Sequence, residues 1–190
     1  MRPFGLVLCG GESTRMGRDK SLIDYHGRPQ RGHLTDLLSP FCARVFWSIN
    51  DAQFEQMTRI GQNTEHVLRD EYPQEGPLGG IITAFRKYPA VPWLIVSCDL
   101  PRLTAISIDY LLQNRNQNAD ATLFADPRPY PFVSIWEPAI FDALQLYWAQ
   151  GLRSPVGLMG SVDVHFLTMP NPQEFLDVND HETYQSVKKS

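Results

Sequence analysis

Short apolar segments rich in Val, Ile, Leu and Phe alternate along this chain with longer amphipathic ones. The alternation constrains the fold more than any other feature, because it is the pattern of βαβ units around a largely parallel sheet. The expected class is α/β, a doubly wound, mostly parallel sheet with helices on both faces and room for one antiparallel strand. No linker or repeat breaks the pattern, so residues 1–190 read as one domain.

Phe4 to Cys9 reads as the first strand, followed by a Gly-rich loop and a helix given one apolar face by Leu34, Leu37, Leu38 and Phe41. Val45 to Ile49 is the second strand, and Asp51 stands in N-cap position for a helix running to about Gly61. Val67 and Leu68 mark a short third strand. EYPQEGPLGG reads as a loop ahead of a helix from Ile81 to Tyr88, and Trp93 to Ser97 suits a central strand buried on both faces. The helix after it places Ile106, Leu111 and Leu112 on its apolar side. Ala121 to Ala125 and Phe132 to Ile135 read as strands separated by DPRPYP, whose prolines argue against regular pairing there. Pro138 opens a long helix with Phe141, Leu144, Tyr147 and Trp148 behind it, stopping at Gly151. From Val164 one more strand is expected, and then a loop ending in DVND, where Asn179 or Asp180 caps a last short helix.

Ligands of open α/β sheets bind beyond the carboxyl ends of the strands, so the residues just after each apolar run carry the chemistry. After the first strand comes LCGGESTRMGRDK, from Leu8 to Lys20, with Gly10, Gly11 and Gly17 and the cations Arg15, Arg18 and Lys20. Glycines let backbone N–H groups approach an anion, and the cations offset the charge that a triphosphate concentrates. The loop has neither the glycine-lysine-serine/threonine ending of an ATPase phosphate loop nor the GxGxxG of a dinucleotide fold.

After Trp93 to Ser97 comes CDLP, which puts Asp99 at the mouth of the sheet's centre. Alone, an aspartate there is more often a helix cap. Opposite a phosphate loop it suits magnesium, which takes one or two carboxylates together with phosphate oxygens and waters. Asp70 is a second acid on the same edge, and EGPLGGI from Glu75 to Ile81 brings Gly76, Gly79 and Gly80 there, either as small residues beside a base or ribose or as a tight turn. Ser48 and Asn50 either face a ligand or start the helix that follows. Cys9 and Cys98 stand at strand ends and read as small buried residues, and Tyr147 and Trp148 as core.

The remaining features exclude more than they assign. With 17 Lys+Arg against 21 Asp+Glu, the net charge of -4 offers no general attraction for nucleic acid. The three cysteines, Cys9, Cys42 and Cys98, lack zinc or disulfide spacing, which suits a reducing cytoplasm. The five histidines show neither metal spacing nor an acid partner, so none is assigned a role. No apolar run approaches the roughly 18–20 residues that cross a bilayer, and a soluble protein without a membrane partner is expected.

The set LCGGESTRMGRDK, EGPLGGI, CDLP and DVND is similar in order and spacing to the molybdenum cofactor guanylyltransferases over nearly the whole chain. The resemblance implies a Rossmann-like nucleotidyltransferase fold and magnesium-dependent transfer of GMP from GTP to the phosphate of molybdopterin, with release of pyrophosphate. It implies that Leu8, Cys9, Gly10 and Lys20 contact GTP, that Asp70 assists the nucleoside and that Asp99 binds magnesium. Other molybdenum cofactor biosynthesis proteins become candidate partners. Ser48 stands where that family commonly has the first asparagine of an Asn-x-Asn pair, Cys9 where alanine is usual, and Asp180 where threonine follows Asn179. With the loop chemistry, the candidate site comprises Arg15, Lys20 and Asp99 as catalytic groups and Leu8, Cys9, Gly10, Gly11, Asn50, Asp70 and Gly79 around the nucleotide. A cytidylyltransferase, an enzyme using a sugar or polyol phosphate, and a nucleotide-binding module without turnover are the competing readings.

Overall fold

The computed structural model describes residues 1–10, 19–72, 74–178 and 184. Seven strands form one sheet: β1 Phe4–Leu8, β2 Val45–Ile49, β3 Val67–Arg69, β4 Trp93–Ser97, β5 Ala121–Ala125, β6 Pro129–Trp136 and β7 Val164–Leu167. Their order is β3-β2-β1-β4-β6-β5-β7. All neighbours run parallel except β6, which is antiparallel to both β4 and β5. The helices are α1 Gln30–Leu38, α2 Asp51–Arg59, α3 Pro77–Lys87, α4 Ala105–Gln113, α5 Ile140–Ala149 and α6 Pro155–Met159.

Side chains alternate across a strand, and the central strands divide accordingly between two cores. Val7 packs with Leu34 and Leu38 of α1, Met57 of α2 and Ile108 of α4, while Leu6 and Leu8 pack with Ile81, Ile82 and Phe85 of α3 and Leu144 of α5. Trp93, Leu94, Ile95 and Val96 are all fully buried, as a central strand covered on both faces requires. Among the described residues no helix is long and apolar enough to cross a membrane.

Several boundaries differ from expectation for local reasons. Asn50, rather than Asp51, caps α2: its side chain accepts the Gln53 N–H while the Gln53 side chain accepts the Asn50 N–H, a reciprocal capping box. Asp51 instead pairs with Arg69. Helix α3 begins at Pro77, four residues before the expected Ile81, since proline suits a first helical position and Gly79 and Gly80 are packed against the strand ends.

Strand β6 takes in Pro129 and Pro131. The pairing with β5 jumps from Leu123–Ser134 to Phe124–Tyr130, so Pro131 falls in the skipped stretch where the β5 ladder asks no N–H of it. Ile106 is 74% exposed, because Ile108 and Leu111 form the buried stripe of α4 and Ile106 lies on its far side. The short helix α6 was not expected; Ser154 caps it by accepting the Gly157 N–H. The capping role expected of Asn179 or Asp180 falls outside the described residues.

The chain winds outward from β1 to β2 and β3, then crosses back to place β4 on the other side of β1. Where the winding reverses, the connections leave in opposite directions and a crevice opens beyond the strand ends.

Candidate active site

That crevice is a cleft of about 200 Å³. It is lined at the ends of β1 and β4 by Leu8, Cys9, Gly10, Ser97 and Cys98, and by Lys20, Asp99, Pro77, Phe132 and Asp177. Residues separated widely in the chain, Lys20 and Asp99, therefore face one space. A larger cavity, about 460 Å³, lies at the amino ends of β2 and β3 between Thr35, Trp47 and His66, and none of the expected site residues lines it.

Lys20 opens a 3-10 turn, Lys20–Leu22, that Asp19 caps. One Asp19 oxygen accepts the Ser21 N–H at 2.9 Å and the Ser21 hydroxyl at 2.7 Å. Cys9 and Gly10 both donate their backbone N–H groups to the Ser48 carbonyl at 2.9 Å, which binds the start of the Gly-rich segment to β2. Cys98 donates its N–H to the Leu8 carbonyl, and its thiol is hydrogen-bonded to Cys9. That bond, with burial, holds the Cys98 thiol well above its usual range, so this thiol stays protonated in the manner of a small core residue.

Two acids, Asp99 and Asp177, line the cleft together. Val178 donates its N–H to the Asp99 carbonyl at 2.9 Å, bringing Asp177 alongside, and Tyr130 donates its hydroxyl to Asp177 at 2.5 Å. Burial raises the Asp177 pKa, and the neighbouring Asp99 charge raises it further, while the Tyr130 hydrogen bond and the Lys20 charge oppose them. One Asp99 oxygen, Oδ1, is buried with no hydrogen-bond partner among the described residues. An unpartnered buried carboxylate oxygen beside a second acid is a donor set short of a cation. No group of three or more metal-binding side chains occurs among the described residues. Two carboxylates with phosphate oxygens and waters nevertheless suffice for magnesium.

The other expected nucleotide contacts lie on the same edge, beyond the cleft toward β3. Asp70 follows β3, donates its N–H to the Ile49 carbonyl and accepts the Tyr72 N–H at 2.8 Å. Burial, the leading cause, lifts its pKa to about 6. Gly79 rests on it: a Cβ there would stand 2.9 Å from the Tyr72 carbonyl oxygen and 3.2 Å from both Asp70 carboxylate oxygens. Asn50 has its side-chain oxygen engaged in capping α2. Ser48 is buried against Gly80.

Leu8, Cys9, Gly10, Lys20 and Asp99 are thus gathered in one cleft, with Asn50, Asp70 and Gly79 beside it. Gly11 and Arg15, with Gly17 and Arg18, lie outside the described residues. Sequence reasoning passed over Asp177, Phe132 and Pro77. Asp177 opens the DVND motif, but nothing in the motif itself sets it apart from Asn179 and Asp180. Phe132 and Pro77 had no signal, being an ordinary strand residue and a turn proline.

A mostly parallel sheet with a lysine and two aspartates around the crevice at its winding reversal has the layout of an NTP transferase, and the chain is a nucleotidyltransferase. Residues 5–162 match the MobA-like NTP transferase domain, and the chain belongs to that family. The molybdenum cofactor guanylyltransferase of Shewanella sediminis is 32% identical over 152 residues, covering 78% of this chain and 76% of that protein. A molybdenum cofactor biosynthesis bifunctional protein of Synechocystis sp. is 34% identical over 97% of this chain and 53% of its own length, so the chain spans about half of that relative. Among solved structures, molybdopterin-guanine dinucleotide biosynthesis protein A from Archaeoglobus fulgidus matches with a TM-score of 0.82 at 17% identity, covering 98% of this chain and 97% of that one, a likeness of fold.

Proposed function

We propose that this enzyme transfers GMP from GTP to the phosphate of molybdopterin, releasing pyrophosphate, and that it uses magnesium. The observation that carries the reading is the convergence of Lys20, Asp99 and Asp177 on one cleft at the switch point of the sheet. The choice of donor and acceptor is supported by relatives named as molybdenum cofactor guanylyltransferases. One continuous sheet supports reading residues 1–190 as a single nucleotidyltransferase domain. A cytoplasmic setting, with GTP and molybdopterin as small-molecule partners, belongs to the same proposal, as do transient contacts with other molybdenum cofactor biosynthesis proteins.

In this reading an oxygen of the acceptor phosphate forms a bond to the α-phosphorus of GTP. The bond from that phosphorus to the α,β-bridging oxygen breaks, and pyrophosphate leaves with the electron pair. A phosphate ester is already anionic near neutral pH, so no general base is required. Lys20, with Arg15, offsets the charge that grows on the leaving pyrophosphate. Asp99 and Asp177 would hold the magnesium, which supplies Lewis-acid neutralisation of phosphate charge when bound. Leu8, Cys9, Gly10 and Gly11 shape the triphosphate wall, and Asn50, Asp70 and Gly79 take the nucleoside toward the β3 edge.

Pyrophosphate release measured with GTP or CTP against molybdopterin and a panel of sugar phosphates tests the proposal. Release with GTP, molybdopterin and magnesium is expected. Release with CTP or with a sugar phosphate alone would replace the donor or the acceptor, and GTP binding without release for any acceptor would mark a module without turnover.

A further inference from the structure

Gln53 lies in the first turn of α2, is 9% exposed and is not among the residues that line the cleft. Its side-chain nitrogen Nε2 donates to two acceptors at once, the Cys9 carbonyl at 3.1 Å and Asp19 Oδ2 at 2.8 Å. Cys9 and Asp19 flank the Gly-rich segment, one at its start and one at its end. A single amide nitrogen therefore holds both ends of the segment that the sequence marks as phosphate-binding. The Asp19 oxygen left over caps the turn that begins with Lys20.

Capping of α2 does not account for this arrangement. The capping box needs only the Gln53 oxygen, which accepts the Asn50 N–H at 2.9 Å, and glutamate fills that role as well as glutamine does. The two donors on nitrogen are what a carboxylate lacks, and both point at the flanks of the loop. We propose that Gln53 is a positioning residue for nucleotidyl transfer, closing the base of the phosphate segment so that Lys20 is held over the cleft. The inference rests on the reading of Lys20 as a group that stabilises the triphosphate.

A double-mutant cycle tests it, using Gln53→Ala, Lys20→Ala and the double variant, with kcat and nucleotide KM from pyrophosphate release, magnesium–GTP affinity at equilibrium and thermal unfolding. Displacing a catalytic group by about an ångström costs up to roughly a hundredfold. Gln53→Ala should therefore lower kcat by about ten- to a hundredfold with a smaller change in KM, and cost less than about twofold once Lys20 is absent. Gln53→Glu keeps the capping acceptor while setting a carboxylate against Asp19, so it should lose kcat at least as severely and also unfold at a lower temperature than the parent protein.

Equal losses from Gln53→Ala with and without Lys20, or full activity in Gln53→Glu, would overturn the proposal. If the parent protein releases no pyrophosphate with any donor and acceptor, the functional reading fails. The same cycle on magnesium–GTP affinity then decides the Gln53 proposal: non-additive losses support it and additive ones overturn it.

Discussion

Val178 donates its backbone N–H to the carbonyl of Asp99 at 2.9 Å, which fastens the late DVND segment to the turn after β4 and sets Asp177 beside Asp99. Two carboxylates in one cleft, with Asp99 Oδ1 buried and unpartnered among the described residues, repel each other, and a cation bound between them would relieve that repulsion.

Asp177→Asn separates that charge from the hydrogen bond, since asparagine still accepts from Tyr130. Asp177 has a folded pKa above its unfolded value, so its contribution to stability is present while it is protonated and is lost as pH rises through the folded pKa. At neutral pH without magnesium the variant should therefore melt higher, by about 2–4 °C for each kcal/mol of relieved repulsion in a chain of this size. In the assay it should need more magnesium for half-maximal rate. Calorimetry with and without the metal, beside a magnesium titration of turnover, checks both; a lower melting temperature or an unchanged magnesium requirement would count against the pairing.

In the proposed reaction, Lys20→Ala removes one strong electrostatic contact from the leaving pyrophosphate, a loss of roughly 3 kcal/mol or about a hundredfold in rate. The fall should appear in kcat/KM for GTP. A variant within about threefold of the parent would remove Lys20 from the catalytic set.

How much of this was legible in sequence depends on how local the cause was. The Trp93 to Ser97 run announced a buried central strand because four consecutive apolar residues admit few other places. Lys20 and Asp99 were found because each follows an apolar run, the position where open sheets present their chemistry. Asp177 was missed because its place depends on a hydrogen bond from Val178 to a residue far earlier in the chain, which no local pattern encodes. The prolines of β6 misled for the converse reason: proline is excluded from a regular ladder, and the register jump opposite Leu123 and Phe124 makes the ladder irregular there. Gln53 resembles any polar helix residue until its two acceptors are seen.

Asp70 supplies a pH signature. Burial holds its folded pKa at about 6 against 3.8 for the unconstrained carboxyl. Between those values the folded state keeps a proton that the unfolded state has lost, so this residue makes stability fall as pH rises from about 4 to 6. Asp70→Asn should flatten that decline. Urea midpoints collected through this range give the comparison, and an unchanged slope would show that Asp70 titrates normally.

Gly80 reports on the packing that builds the site. A Cβ there would overlap the Ser48 hydroxyl and come within 3.1 Å of the Ser48 Cβ, joining the start of α3 to β2 too tightly. Gly80→Ala should cost about 1–3 kcal/mol, as overpacking of a filled interior does. Ser48→Ala in the same protein should recover part of it. Denaturant unfolding of the two single variants and the double variant reads the coupling; strictly additive losses would mean the helix start relaxes elsewhere.

The central claim is that Asp99 holds the metal through which this cleft binds a nucleoside triphosphate. Equilibrium binding of GTP to the parent protein and to Asp99→Ala, each with and without magnesium, tests it most directly. Magnesium should tighten binding at least about tenfold in the parent, about 1.4 kcal/mol, and have little effect in the variant. The same magnesium dependence in both proteins would contradict the account.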